Sequence, residues 1–120
     1  MAEKLSFISK GTGNSLIRYT EASGIRFQFK TGHSFYCPHR TNDGRNTDLR
    51  NSGLTTDEIE AEIVADIHLF LDSGGSLPML GREFLQPMQR EIYVKAHRIA
   101  YRAIELPDGA ISVGTYFAMW

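Results

Sequence analysis

Long hydrophobic runs are missing from this sequence, and so is a second cysteine. No stretch has the length and apolarity of a membrane span, which argues against a transmembrane helix. Cys37 is the only cysteine among the 120 residues, so no internal disulfide can form, and the first residues lack the basic and then apolar layout of a signal peptide. We therefore expect a soluble cytoplasmic protein that has no membrane partner.

A basic excess over the whole chain is also absent, because 13 Lys and Arg stand against 14 Asp and Glu, for a net charge of −1. A nucleic-acid-binding domain normally carries such an excess, so a protein partner is expected more strongly than nucleic acid. The charges are nevertheless segregated along the chain. Residues 1–50 carry eight bases against four acids, and residues 51–72 carry six acids and no base. Opposite faces could therefore meet different partners.

The common catalytic and nucleotide-binding motifs are missing too, and we expect no cofactor. His33, Cys37 and His39 lie within seven residues and invite two chemical interpretations, a metal site or a thiol nucleophile beside a histidine. Structural zinc needs four ligands, and no cysteine-hydrolase signature surrounds Cys37. The preferred interpretation is a buried small apolar side chain that ends a strand, with no metal.

Apolar residues alternate over the first part of the chain, which predicts a four-strand β meander over residues 1–37 with odd-numbered side chains on the core face. The last of these strands is predicted at Phe35 and Cys37. Residues 38–53 hold one large apolar side chain, Leu49, and predict a loop rich in arginine and asparagine. Ile59, Ile63 and Ile67 then recur every four residues. This spacing predicts an amphipathic helix over 55–72, beginning near Thr56 and ending at Asp72.

The C-terminal segment 89–118 is predicted to form strands, with one turn at Lys95-Ala96 and a three-residue loop at 107–109. In that register Leu106 pairs with Ala110, and paired residue numbers add up to 216. Odd positions would then face the core. The opposite face would carry a predicted anion or partner site made of Arg98, Arg102, Ser112 and Tyr116.

We therefore expect one α+β domain over residues 1–120, in which a curved antiparallel sheet of about six or seven strands packs on one long helix. A single helix covers only part of such a sheet. A homodimer is one way to cover the rest, and Phe117, Met119 and Trp120 suit such an interface.

The leading functional hypothesis is a small binding module that docks on a macromolecule and modulates or inhibits it. Guanidinium groups bind carboxylates and phosphates, and an acidic helix face suits a basic partner. The predicted binding residues are Arg40, Arg45, Arg50, Arg98, Arg102, Ser112, Tyr116, Glu58, Glu62 and Asp66.

The alternative hypothesis is a metal-independent ribonuclease-type effector or toxin domain, which would be secreted. It needs a general base, a cationic phosphate clamp and a hydroxyl, which His97, Arg98, Arg102, Thr115 and Tyr116 would supply. The predicted register already places His97 on the face opposite both arginines. The stretch "YRAIELPDGAISVGTYF" resembles the tails of secreted bacterial toxin modules, a resemblance that implies no residue roles.

Overall fold

The computed structural model describes residues 5–36, 49–79 and 86–119. These residues form six strands and one α-helix, besides three short 3₁₀ turns. The elements are β1 (Ile8–Lys10), β2 (Ile17–Ala22), β3 (Ile25–Phe29), α1 (Thr56–Asp72), β4 (Met88–Val94), β5 (His97–Glu105) and β6 (Ile111–Ala118). No helix within the described ranges has the length and apolarity needed to cross a bilayer.

The predicted fold class is confirmed, since one helix packs against a six-stranded sheet in the order β1-β2-β3-β6-β5-β4. The sheet is mostly antiparallel, but β3 and β6 pair in parallel at its centre. The chain leaves the sheet after β3 and returns at the far edge as β4. Two hairpins then bring β6 back beside β3. Because two reversals leave β6 parallel to β4, both of these strands run in the same direction as β3.

Helix α1 begins and ends where the sequence predicts. Thr55 and Glu58 form a reciprocal capping box, in which each side chain accepts a hydrogen bond from the other residue's backbone N–H. The predicted apolar stripe of Ile59, Ile63 and Ile67 is fully buried against the sheet. The helix therefore packs on one face of the sheet.

Both predicted C-terminal turns are confirmed. Lys95 and Ala96 have positive φ angles of 47° and 70°, which gives a two-residue hairpin of the type whose twist matches that of the flanking strands. At the next hairpin, Leu106 N–H donates to Ala110 O at 2.8 Å, and Gly109 has a φ of 89°. Glycine is favoured at this left-handed position.

The predicted register is wrong beyond the middle of the β5–β6 hairpin. Ala103 pairs with Val113 as predicted, but a β-bulge follows, and Tyr101 then pairs with Tyr116 instead of Thr115. Gly114 is the additional residue of the bulge. Because a shift of one residue exchanges the two faces, the Tyr116 side chain lies in the core, beneath α1 and away from Arg98 and Arg102.

The predicted parity is also wrong in β2, where the even-numbered residues Arg18, Thr20 and Ala22 are buried. Arg18 points toward α1 because two carboxylates of the helix bind its guanidinium group. Ile17 and Tyr19 consequently lie on the opposite face of the sheet. The ion pairs of Arg18 therefore give β2 the opposite orientation to the one that its apolar alternation predicts.

The fourth strand of the predicted meander is absent from the described residues up to Tyr36. The chain instead makes a 3₁₀ turn at Thr31–His33, followed by a further turn that buries Phe35. Gly32 lies against the backbone of Gly13 and Asn14, and its N–H donates to Leu16 O at 2.9 Å. This close approach diverts the chain from the sheet. Cys37 lies outside the described residues.

Candidate binding face

The side of the sheet that faces away from α1 is called the outer face here. The arginine and tyrosine side chains that bond to α1 lie on the helix side of the sheet. Because side chains alternate along each strand, the strand register then shows which residues lie on the outer face. On β4, β5 and β6 the outer face carries Gln89, Glu91, Tyr93, Arg98, Ala100, Arg102, Thr115 and Phe117. The predicted outward direction of Arg98 and Arg102 is confirmed.

Arg98 is neutralised within the protein. Its Nε and Nη2 both donate to Glu91 Oε1, at 2.8 and 2.5 Å. The hydrogen bond and the charge of Glu91 raise the pKa of the Arg98 guanidinium above its usual value. Both side chains are substantially exposed to water. This pair therefore adds polarity to the outer face but little net charge.

Arg102 is held in place by neutral groups. Its Nε donates to Gln89 Oε1 at 2.9 Å, and its guanidinium carbon lies 5.6 Å from the centre of the Phe117 ring. The described part of the chain places no carboxylate within ion-pair distance of it, and neither Nη atom donates a hydrogen bond there. Among the described residues, the positive charge of Arg102 therefore has no acidic partner, and its two Nη groups are left to donate hydrogen bonds.

The hydroxyl side chains predicted around the arginines have different environments. Ser112 lies on the outer face and accepts a hydrogen bond of 3.3 Å from Gln28 Nε2, although it is almost fully buried. Thr115 lies opposite Arg102, and its Oγ1 is buried with no hydrogen-bond partner among the residues that the structure describes. Tyr116 is absent from this face, so the predicted four-residue site is reduced to Arg98, Arg102 and Ser112.

The predicted acidic stripe of α1 is partly used inside the protein. Glu58 forms the capping box and an ion pair of 2.5 Å with Lys95. Asp66 turns toward the sheet, where Arg90 donates to it through two nitrogens at 2.7 and 3.1 Å. Glu62 is half-buried. Two of the three predicted carboxylates are therefore already paired with bases of β4 or of the turn that follows it.

Sequence reasoning missed a buried polar cluster centred on Glu60. Arg18 Nη1 donates to Glu60 Oε1 at 2.9 Å, while Thr31 Oγ1 and Tyr116 Oη both donate to Oε2 at 2.6 Å. Arg18 also pairs with Asp57. Burial raises the pKa of Glu60, and the hydrogen bonds from Thr31 and Tyr116 and the charge of Arg18 oppose this rise. Because its polar atoms are satisfied inside the core, this cluster fixes α1 on the sheet.

Two sequence signals pointed to this cluster. Arg18 interrupts a β-branched and aromatic strand, and Glu60 falls within the arc of α1 that contains Val64 and Ile67 at helical spacing. A charged residue inside an apolar arc is buried only when it is paired. Glu60 could therefore have been predicted to need a buried partner, but neither signal identifies Arg18 as that partner.

The structure brings Arg98, Arg102 and Thr115 of the ribonuclease hypothesis onto the outer face, but not His97 or Tyr116. His97 and Arg102 are five residues apart on β5, so alternation places them on opposite faces. At about 3.3 Å per residue their Cα atoms are separated by roughly 16 Å. Tyr116 lies in the core, as described above. This arrangement does not form a joint site for one phosphate.

The arginine loop and the histidine–cysteine segment are described only in part. Arg40, Arg45, Cys37 and His39 lie outside the described residues. Arg50 is exposed in a 3₁₀ turn at Leu49–Asn51. Within the ranges that are described, no group of three His, Cys, Asp or Glu side chains could hold a metal ion.

Comparison with protein-family models, with curated proteins and with solved structures finds no match for this chain. The function of this chain is therefore inferred from the geometry of the outer face.

Proposed function

We propose that this protein is a small binding module that docks on a protein partner through the outer face of β4, β5 and β6. The observation that supports this most directly is Arg102, an exposed guanidinium group that is oriented by Gln89 and has no acidic partner in the described part of the chain. A carboxylate of the partner would complete its hydrogen bonding through both Nη atoms.

The side chains around Arg102 support a protein partner. Tyr93 is 69% exposed on the same face, and the ring of Phe117 is only half-buried. Tyrosine and arginine are enriched among the residues that contribute most to protein interfaces. Nucleic acid is a weaker fit, because Arg98 is neutralised by Glu91 and a nucleic-acid site needs several free cations.

The proposal is tested by reversing the charge of Arg102. Tagged wild-type protein, Arg102→Glu and Lys30→Glu are used to recover partners from a lysate of the source cells, and the binding of each recovered protein is then measured directly. Lys30 is also exposed, lies at the end of β3 and gives the same change in net charge. We expect Arg102→Glu to weaken binding by at least about tenfold and Lys30→Glu to leave it unchanged. Equal binding by all three proteins would overturn the proposal.

An RNA-cleavage assay addresses the ribonuclease hypothesis separately. Purified wild-type protein is incubated with RNA beside His97→Ala and Arg102→Ala. We expect no cleavage above that of a buffer control. Cleavage by the wild type that is lost in both variants would contradict a purely binding role.

A further inference from the structure

A groove lies at the other end of the outer face, where β1, β2 and β3 meet the turn between β5 and β6. Its volume is about 710 Å³, within the range of small-molecule sites. Tyr19 and Glu21 point to the outer face, because the residues that alternate with them on β2 face α1. Two of those inward residues, Thr20 and Ala22, also contribute to the lining of the groove. The groove is lined in particular by Ile8, Tyr19, Glu21, Arg26, Gln28 and Asp108.

The charged groups of the groove do not balance. Glu21 lies directly opposite Arg26 in the register of β2 and β3, but Arg26 Nη2 pairs with Asp108 Oδ2 at 3.1 Å. Within the described residues, the side chain of Glu21 makes no hydrogen bond and no ion pair. The groove lining thus carries two carboxylates and one guanidinium group, and the negative charge of Glu21 has no cationic partner among the described residues.

An apolar wall stands beside this carboxylate. Ile8 pairs with Tyr19 across β1 and β2, and its side chain is 68% exposed. Gln28 lies next to Tyr19 in the same row, and its Nε2 donates to Ser112, which leaves its Oε1 able to accept. Lys10 Nζ already contacts the Tyr19 ring, 5.5 Å from its centre. Glu21 is therefore the main group left for an added cation.

From this juxtaposition we infer that the groove binds an amphipathic organic cation, an ammonium or guanidinium group on an apolar stem. The cationic head pairs with Glu21, and the stem packs on Ile8 and Tyr19. This chemistry has two sources, a free amine or the lysine or arginine side chain of a peptide. The site is separate from Arg102 and does not depend on the function proposed for it.

The test is an NMR titration of the full chain with three probes of similar shape, phenethylammonium, 2-phenylethanol and 3-phenylpropionate. A fourth probe, the peptide acetyl-leucyl-lysine amide, carries the same cation on a backbone. We expect saturable shifts at Ile8, Glu21 and Gln28, with the ammonium bound about two- to fivefold more tightly than the alcohol. Tighter binding of the peptide than of the free amine would identify a side chain as the ligand, and the reverse would identify a small molecule.

Glu21→Gln is the critical variant, and Glu62→Gln on α1 is its matched control. We expect the first to abolish the preference for the ammonium and the second to retain it. The same spectra report whether each variant is folded. Shifts that do not saturate, binding of the carboxylate as tight as that of the ammonium, or an unchanged preference in Glu21→Gln would each overturn the inference.

Discussion

Tyr101 and Tyr116 lie directly opposite each other on β5 and β6, and their hydroxyls donate hydrogen bonds of 2.6 Å to two different carboxylates of α1. The acceptors are Asp66 and Glu60, six positions apart on the helix. Each carboxylate also accepts from an arginine on another strand. The helix is thus fixed on the sheet by two polar clusters, which set both its direction and its position.

Removing the two hydroxyls should have unequal effects. Tyr116→Phe leaves one oxygen of the buried Glu60 with Thr31 as its remaining donor, and we expect a loss of about 1.5–3 kcal/mol in the free energy of unfolding. Tyr101→Phe should cost about 1 kcal/mol, because Asp66 is partly exposed and keeps two bonds from Arg90. Urea unfolding of both variants at neutral pH measures the difference. A larger loss in Tyr101→Phe would contradict this interpretation.

The Arg18–Glu60 pair should show strong coupling. Glu60→Leu leaves the Arg18 guanidinium buried with Asp57 alone, and Arg18→Met leaves Glu60 without its cation. Each single change should cost about 3–5 kcal/mol, whereas the double variant should cost less than either, because no unpaired charge stays in the core. Urea unfolding of the four proteins in a double-mutant cycle measures the coupling. Additive losses would show that the two side chains act independently.

Local signals were sufficient to predict much of the fold. The bounds of α1 follow from a capping box and a four-residue apolar spacing, and the two C-terminal turns follow from residues that suit positive φ angles. The outward direction of Arg98 and Arg102 follows from alternation alone. Each of these features is decided by neighbours in the sequence.

The wrong predictions involve partners that are distant in the sequence. Arg18 faces inward because Glu60, 42 positions later, binds it, and apolar alternation contains no information about that pairing. The bulge at Gly114 moves Tyr116 to the core because its hydroxyl reaches Glu60. At the outer face, Arg98 is paired with Glu91, whereas Arg102 has only the neutral Gln89 as its hydrogen-bond partner among the described residues. Both of these cross-strand neighbours become visible only once the register is known.

The two helix carboxylates should give opposite pH dependences. Burial raises the pKa of Asp66, but the hydrogen bonds from Arg90 and Tyr101 outweigh it, so the pKa lies below 3.8. Asp66 therefore stabilises the fold above its unfolded pKa, and this contribution is lost as the pH falls through the folded pKa. Burial raises the pKa of Glu60 above 4.5. Its contribution is fully present below the unfolded pKa and declines as the pH rises through the folded pKa.

Urea unfolding from about pH 2 to about pH 8 separates the two effects. The advantage of the wild type over Asp66→Asn should shrink below about pH 3.8, and its advantage over Glu60→Gln should shrink as the pH rises above about 4.5. An advantage over Glu60→Gln that grows with pH would mean that the folded protein favours the ionised carboxylate.

Gly32 should tolerate no side chain, although its φ angle is not in the left-handed region. A Cβ atom at this position would lie 2.1 Å from Gly13 O and 2.8 Å from Asn14 O, both backbone atoms that cannot rotate away. At Gly109 the backbone conformation is the unfavourable factor and space is not, because its φ is 89° and an added Cβ atom would lie in open space. We expect Gly109→Ala to cost about 1 kcal/mol through backbone strain and Gly32→Ala to cost several times more, on the order of 3 kcal/mol. Thermal and urea unfolding compare the two, and a milder loss in Gly32→Ala would show that the turn at Thr31–His33 can move away from Gly13 and Asn14.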